Sequence, residues 1–114
     1  MATRVKKTHT VNVNVRVKDL SIDQDDDGVN LEKEFVPEGA FTLSLDYPLS
    51  RNYIFTVKGP LTVKALCSMI STAYRKIYLQ EDYYGVWGHT IDDLWIEELN
   101  INHETKTIEV FIGS

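Results

Sequence analysis

At Thr62 the hydrophobic period of this chain changes from two residues to 3.6, and that change restricts its fold more than any other feature. Val63, Leu66, Cys67, Ile70, Ala73, Tyr74 and Ile77 recur at the i, i+3, i+4, i+7 spacing of one helix face. Lys64, Ser68, Ser71, Arg75 and Lys76 turn outward between them. Thr62 is placed as an N-cap, its hydroxyl accepting a bond from a free N–H of the first turn. Gly85 is placed as the left-handed residue that stops the element. The spacing predicts a helix of about five turns, from near Thr62 to near Gly85, that buries Leu66, Ile70, Ala73 and Ile77. The other periodic segments alternate with period two. One amphipathic helix among strands has to cover one face of a sheet.

The strands read as pairs. Val11, Val13, Val15 and Val17 alternate with Asn12, Asn14, Arg16 and Lys18, the pattern of a strand with one buried face. The alternation slips after Lys18 and resumes at Leu20 and Ile22, which suggests a bulge near Asp19. VNLEKEFV (29–36) reads as the returning strand, with Lys33 on its apolar side, and Pro37-Glu38-Gly39 ends the unit. Phe41 to Tyr47 and Tyr53 to Val57 form a second hairpin, stopped by Gly59-Pro60. In the third, Leu94 and Ile96 lie on one parity and Leu99 and Ile101 on the other, so a bulge near Glu97-Glu98 reunites them. Asn102 closes the turn into the strand of Ile108, Val110 and Ile112. The expectation is an α+β fold: hairpin, hairpin, helix, hairpin, with about six mostly antiparallel strands under one long helix. That order is also the order of β-grasp domains, which is the alternative. Residues 1–9 are expected to be a flexible basic arm, and residues 10–114 a single domain.

A length of 114 residues suits one domain. The N-terminus carries basic residues with no apolar run behind them, and no stretch approaches the ~20 apolar residues of a membrane helix. One cysteine, Cys67, forms no internal disulfide and sits on the buried helix stripe. An intracellular, cytoplasmic protein without a membrane partner is expected. The net charge of -5 is distributed in blocks. Residues 1–18 and 47–80 carry basic groups and no acids, whereas residues 19–46 and 81–114 are acidic apart from Lys33 and Lys106. Such blocks are expected to be faces whose opposite signs meet in the fold. An acidic total argues against a nucleic-acid partner.

Three places carry candidate chemistry. In DQDDDGVNLEKE, Asp23, Asp25, Asp27 and Glu34 fall on ligand positions of the calcium-loop pattern. Strand alternation on both sides and an Asp-Gly pair favour an acidic hairpin turn, with weak calcium binding as the alternative. In GVWGHTIDDLW, His89 beside Asp92 and Asp93 in an aromatic segment forms an acid–base or ligand corner with Trp87. The structural alternative has Thr90 and Asp93 as reciprocal caps of a short turn. The third place is the polar face of the valine strand, Asn12, Asn14 and Arg16, with Ile54 breaking the polarity of that side. The histidines His9, His89 and His103 lack zinc-ligand spacing, and no catalytic or phosphate-binding signature occurs. These features predict a non-enzymatic module that binds a protein partner or itself and needs no cofactor. A small enzyme or small-molecule binder at His89 is the rival.

Overall fold

A computed structural model describes residues 8–21 and 31–114. Among them are five strands, β1 (Thr8–Arg16), β2 (Glu34–Leu45), β3 (Tyr53–Thr62), β4 (Trp95–Asn102) and β5 (Thr107–Gly113). Helix α1 (Val63–Tyr78), a single turn α2 (Glu81–Tyr84) and a 3₁₀ turn (Ile91–Asp93) lie between β3 and β4. One sheet holds all five strands in the order β1-β4-β5-β2-β3. Every neighbouring pair is antiparallel except β2 and β5, so the class is α+β with a mostly antiparallel sheet. Of the expected basic arm, residues 1–7 lie outside the described residues, and Thr8 and His9 belong to β1.

Among the described residues the expected count of about six strands is corrected to five, and β1 does not pair with β2 as the first hairpin requires. β1 pairs with β4, while β2 lies between β5 and β3. The pairings make β1 parallel to β2, so residues 17–33 join two strands that a hairpin turn cannot join. Alternation names the buried face of each strand, and it says nothing about which strand lies alongside. The hairpin–helix–strands order that suggested the β-grasp alternative is carried by β2–β3, α1, β4 and β5, with β1 added at the far edge beside β4. The two segments expected on either side of Pro37-Glu38-Gly39 are one strand, β2, which crosses the interruption with register shifts between Glu34 and Val36 and between Val36 and Gly39. A bulge absorbs the proline, which lacks an N–H for the ladder. Likewise β3 runs through Gly59-Pro60 to Thr62.

Near Asp19 the chain makes a turn and not a bulge. The Leu20 N–H donates to the Arg16 carbonyl at 2.8 Å, and Leu20 adopts φ 60°. The Asp19 carboxylate accepts the Ser21 N–H at 3.0 Å, and those Ser21 hydrogen bonds lower its pKa. The bulge of this strand is at Asn14, φ 55°, where the pairing with β4 shifts between Asn12 and Val15. β4 carries its own extra residue against β5 between Ile96 and Glu98, as the parity change there predicts. Two successive bulges bend the β1 side of the sheet, and Val13, Val15, Ile96, Leu99 and Ile101 stay on one buried face throughout.

Helix α1 covers that face. The Thr62 hydroxyl accepts the Ala65 N–H at 3.1 Å, the N-cap bond that the sequence predicts. Leu66, Ile70, Ala73 and Ile77 are buried in one core with Phe41, Leu43, Leu45 and Val57. Cys67 is buried among them, and burial pushes its thiol up to about 12. The helix ends at Tyr78, earlier than expected, because the next stripe positions, Gln80 and Glu81, are polar and give a further turn nothing to bury. α2 then starts afresh and ends at Gly85, left-handed with φ 63°. Among the described residues no helix is long and apolar enough to cross a membrane.

Candidate functional site

Among the described residues β3 is an edge strand, and α1, which follows it directly, folds back along it. Between them lies a groove of about 290 Å³, lined by Tyr53, Phe55, Ser68, Met69, Thr72, Ala73 and Lys76. Its origin is the width of the sheet. A single helix seals the apolar face over the central strands, and the inward residues Tyr53 and Phe55 of the outermost strand stay half-buried. Met69, at 36% exposure, forms the opposite wall. A ladder of rings continues from the groove: Phe55 to Tyr53 at 5.7 Å, Tyr53 to Tyr84 at 5.6 Å, and Tyr84 to Tyr83 at 4.8 Å. Arg51 closes the row, its guanidinium 4.6 Å from the Tyr83 ring and its Nε donating to the Tyr83 carbonyl at 3.2 Å. The volume is at the low end of small-molecule pockets (about 300–1,000 Å³) and suits one or two side chains.

The corner around His89 is assembled as a cluster, but not as the predicted pair of acids. Its Nδ1 lies 3.8 Å from Asp93 Oδ2, and its Nε2 lies 3.3 Å from Ser114 Oγ. Tyr47 adds a ring 5.8 Å away and a hydroxyl 2.9 Å from Ser114 Oγ. Trp87, half-exposed, stands edge-on to Tyr47 at 5.5 Å, and the Tyr78 hydroxyl donates to the His89 carbonyl at 3.1 Å. Asp92 is directed elsewhere, held at 2.8 Å by Lys18, whose pKa that carboxylate raises. Asp93 Oδ2 also accepts the Thr90 N–H at 3.2 Å, the reciprocal capping bond of the 3₁₀ turn. A serine, an imidazole and a carboxylate therefore stand in line, yet 3.8 Å is too long for an orienting hydrogen bond. The carboxylate is engaged by backbone, and the groove described above does not include His89.

Asn12, Asn14 and Arg16 are exposed on β1, the other edge of the sheet. Arg16 covers the Trp95 ring at 4.7 Å, and Thr10 bonds Asn100 at 2.8 Å, so this outer face is knitted by cross-strand contacts. Asn14 is the bulged residue. Asp23, Asp25 and Asp27 lie outside the described residues. Glu34 opens β2, exposed and opposite Thr62. Among the described residues no cluster of three or more His, Cys, Asp or Glu is placed to hold a metal. The charge blocks meet as expected at Lys18–Asp92 and, more loosely, at Lys64–Glu32, 3.9 Å apart.

Sequence reasoning missed the groove. Phe55 reads as an ordinary inward strand residue and Met69 as the outer side of a helix, because exposure between two elements is not a property of either pattern. The signal that was available is the run from 47 to 80, which carries Arg51, Lys58, Lys64, Arg75 and Lys76 and no acid. Searches against protein-family models, curated proteins and solved structures find no match to this chain.

Proposed function

We propose that this domain is a non-catalytic interaction module that takes an extended segment of a protein partner onto the edge of β3. The observation that carries this reading is the coincidence of an edge strand with an apolar groove beside it. An edge strand offers unpaired N–H and C=O groups along one side, and a segment added there would direct alternate side chains toward α1. The backbone would supply affinity, and Tyr53, Phe55, Met69 and Ala73 would supply selectivity. Ile54, on the opposite side of β3 and 63% exposed, adds apolar surface to the same strand. Selection from a library of displayed linear peptides, followed by amide exchange on the complex, tests the reading. New protection along Tyr53–Val57 is expected. Failure to enrich any linear peptide, or protection confined to the Asn12–Arg16 edge, would overturn it.

A second reading has one observation in its favour, the contact between Ser114 Oγ and His89 Nε2. In it the corner binds or hydrolyses a small ester or amide. A fluorophosphonate probe that labels Ser114, and ceases to do so in His89→Ala, would support that reading against the first.

A further inference from the structure

Resting on the interaction reading above, we infer that the segment bound along β3 is acidic: an extended stretch with carboxylates interleaved among apolar residues, contributed by a different protein and not by a second copy of this one. Charge is what selects the occupant. Lys76 lines the groove, Lys58 is exposed on the edge strand itself, and Arg51 is fixed at the end of the aromatic row by Tyr83. No carboxylate lines the groove among the described residues. Arg75 is not part of this set, since its guanidinium donates to the Lys18 carbonyl on the other flank of α1 at 2.7 Å.

The positions of these cations match what an added strand presents. Side chains of an extended segment alternate every residue, so apolar groups at every second position meet Phe55 and Met69 while the intervening ones point to the opposite face. Lys58 projects on that opposite face, because its neighbour Val57 is buried toward α1. Carboxylates on the intervening positions would therefore run past Lys58, and an acid at the end of the apolar row would meet Lys76 or Arg51. A second copy is a poor occupant on the same grounds. Isologous pairing of β3 with β3 brings one basic surface against its own image, and like charges held opposite one another disfavour the pair.

The test uses a fluorescent, end-capped peptide that alternates glutamate with valine, a matched peptide with lysine for glutamate, and a glutamate peptide interrupted by proline. Anisotropy should show the glutamate peptide binding and both others failing. Binding should weaken as salt rises and the Debye length falls from ~10 Å at 0.1 M to ~3 Å at 1 M. Lys76→Glu, an exposed change that leaves the fold intact by circular dichroism, should weaken it about fivefold or more, the scale of an exposed charge pair that turns repulsive. Lysine and glutamate peptides bound equally well, with amide protection on β3, would overturn the acidic partner and leave the groove reading standing. A salt-resistant dimer in sedimentation, with β3 protected in the absence of peptide, would overturn the partner in favour of a second copy. No binding by any peptide and a clean monomer would overturn both readings.

Discussion

Gly59 stands where a side chain has no room: a Cβ built there overlaps the Pro37 carbonyl oxygen of the neighbouring strand. The close approach is the other half of the β2 bulge, which brings the backbone of Pro37 toward β3. Gly59→Ala should then cost about 2 kcal/mol or more, since the obstacle is backbone and not a side chain that can swing away. Gly88→Ala is the control. Gly88 has φ 76° and nothing within 4 Å of a built Cβ, so only left-handed strain remains, worth ~1–2 kcal/mol. Urea midpoints that rank Gly88→Ala as the worse change would contradict the bulge geometry. Buried acids give a second residue-scale expectation. Burial pushes both the Cys67 thiol and the Tyr78 phenol up to about 12, and burial raises Tyr74, whose hydroxyl donates to the Tyr47 carbonyl, in the same direction. In the fold these groups keep their protons to higher pH than in the unfolded chain, which releases them from about pH 9 and 10. Stability contributed by these groups is thus complete below pH ~9 and lost as pH rises through the folded values. The expected result is a plateau in the urea midpoint up to about pH 8 and a steady fall above about pH 9. In Cys67→Ala the onset should move toward pH ~10, where tyrosine becomes the first to titrate. A profile level to pH ~11 would contradict the burial of these three groups.

Among the elements, α1 carries the clearest energetic expectation. Ile70 is fully buried between the helix and the sheet, so Ile70→Ala should cost ~2–5 kcal/mol. Thr62→Ala, which removes the cap bond to Ala65, should cost ~1 kcal/mol. Chemical denaturation measures both, and an Ile70→Ala loss within the ~0.5 kcal/mol of a surface change would refute the packing. The same contrast explains which elements could be read from sequence. The helix, the β2–β3 and β4–β5 hairpins, the bulge beside Glu97 and the turn closed by Asn102 all rest on contacts between residues near in the chain. Asn102 shows this directly, its side chain accepting the N–H groups of Glu104 and Thr105 at 3.0 Å. The partner of β1 was not legible, because Val11 opposite Leu99 is a pairing that no local pattern encodes. Pro37 and Gly39 looked like a stop, since the glycine that accommodates them is on another strand. The groove was hidden for a related reason: Met69 and Phe55 become a site only when the sheet proves wider than its helix. The His89 corner was half legible. Its capping bond from Thr90 to Asp93 was foreseen, whereas Ser114 and Tyr47 come from distant parts of the chain.

At the scale of the whole molecule, the central position of β5 sets the terms. It lies between β4 and β2, joined to β2 by a short parallel ladder in which Leu43 faces Ile108. β1 with β4 on one side and β2 with β3 on the other are thus bridged by the final strand. Removing residues 107–114 should therefore abolish the cooperative unfolding transition altogether, where trimming a true edge strand would only lower it. A truncated protein that still melts in one sharp step would show that the two halves are held together chiefly by α1. The order of appearance on the ribosome follows from the same placement. At ~5–20 residues per second, the β2–β3 hairpin and α1 emerge a few seconds before β5 does. During that interval Phe41 and Leu43 of β2 remain without their central neighbour, so the nascent chain presents apolar surface that cannot yet be closed. Completion waits for the last strand to slot between two waiting halves. Closure of the sheet therefore follows the emergence of β5, whatever has formed before it.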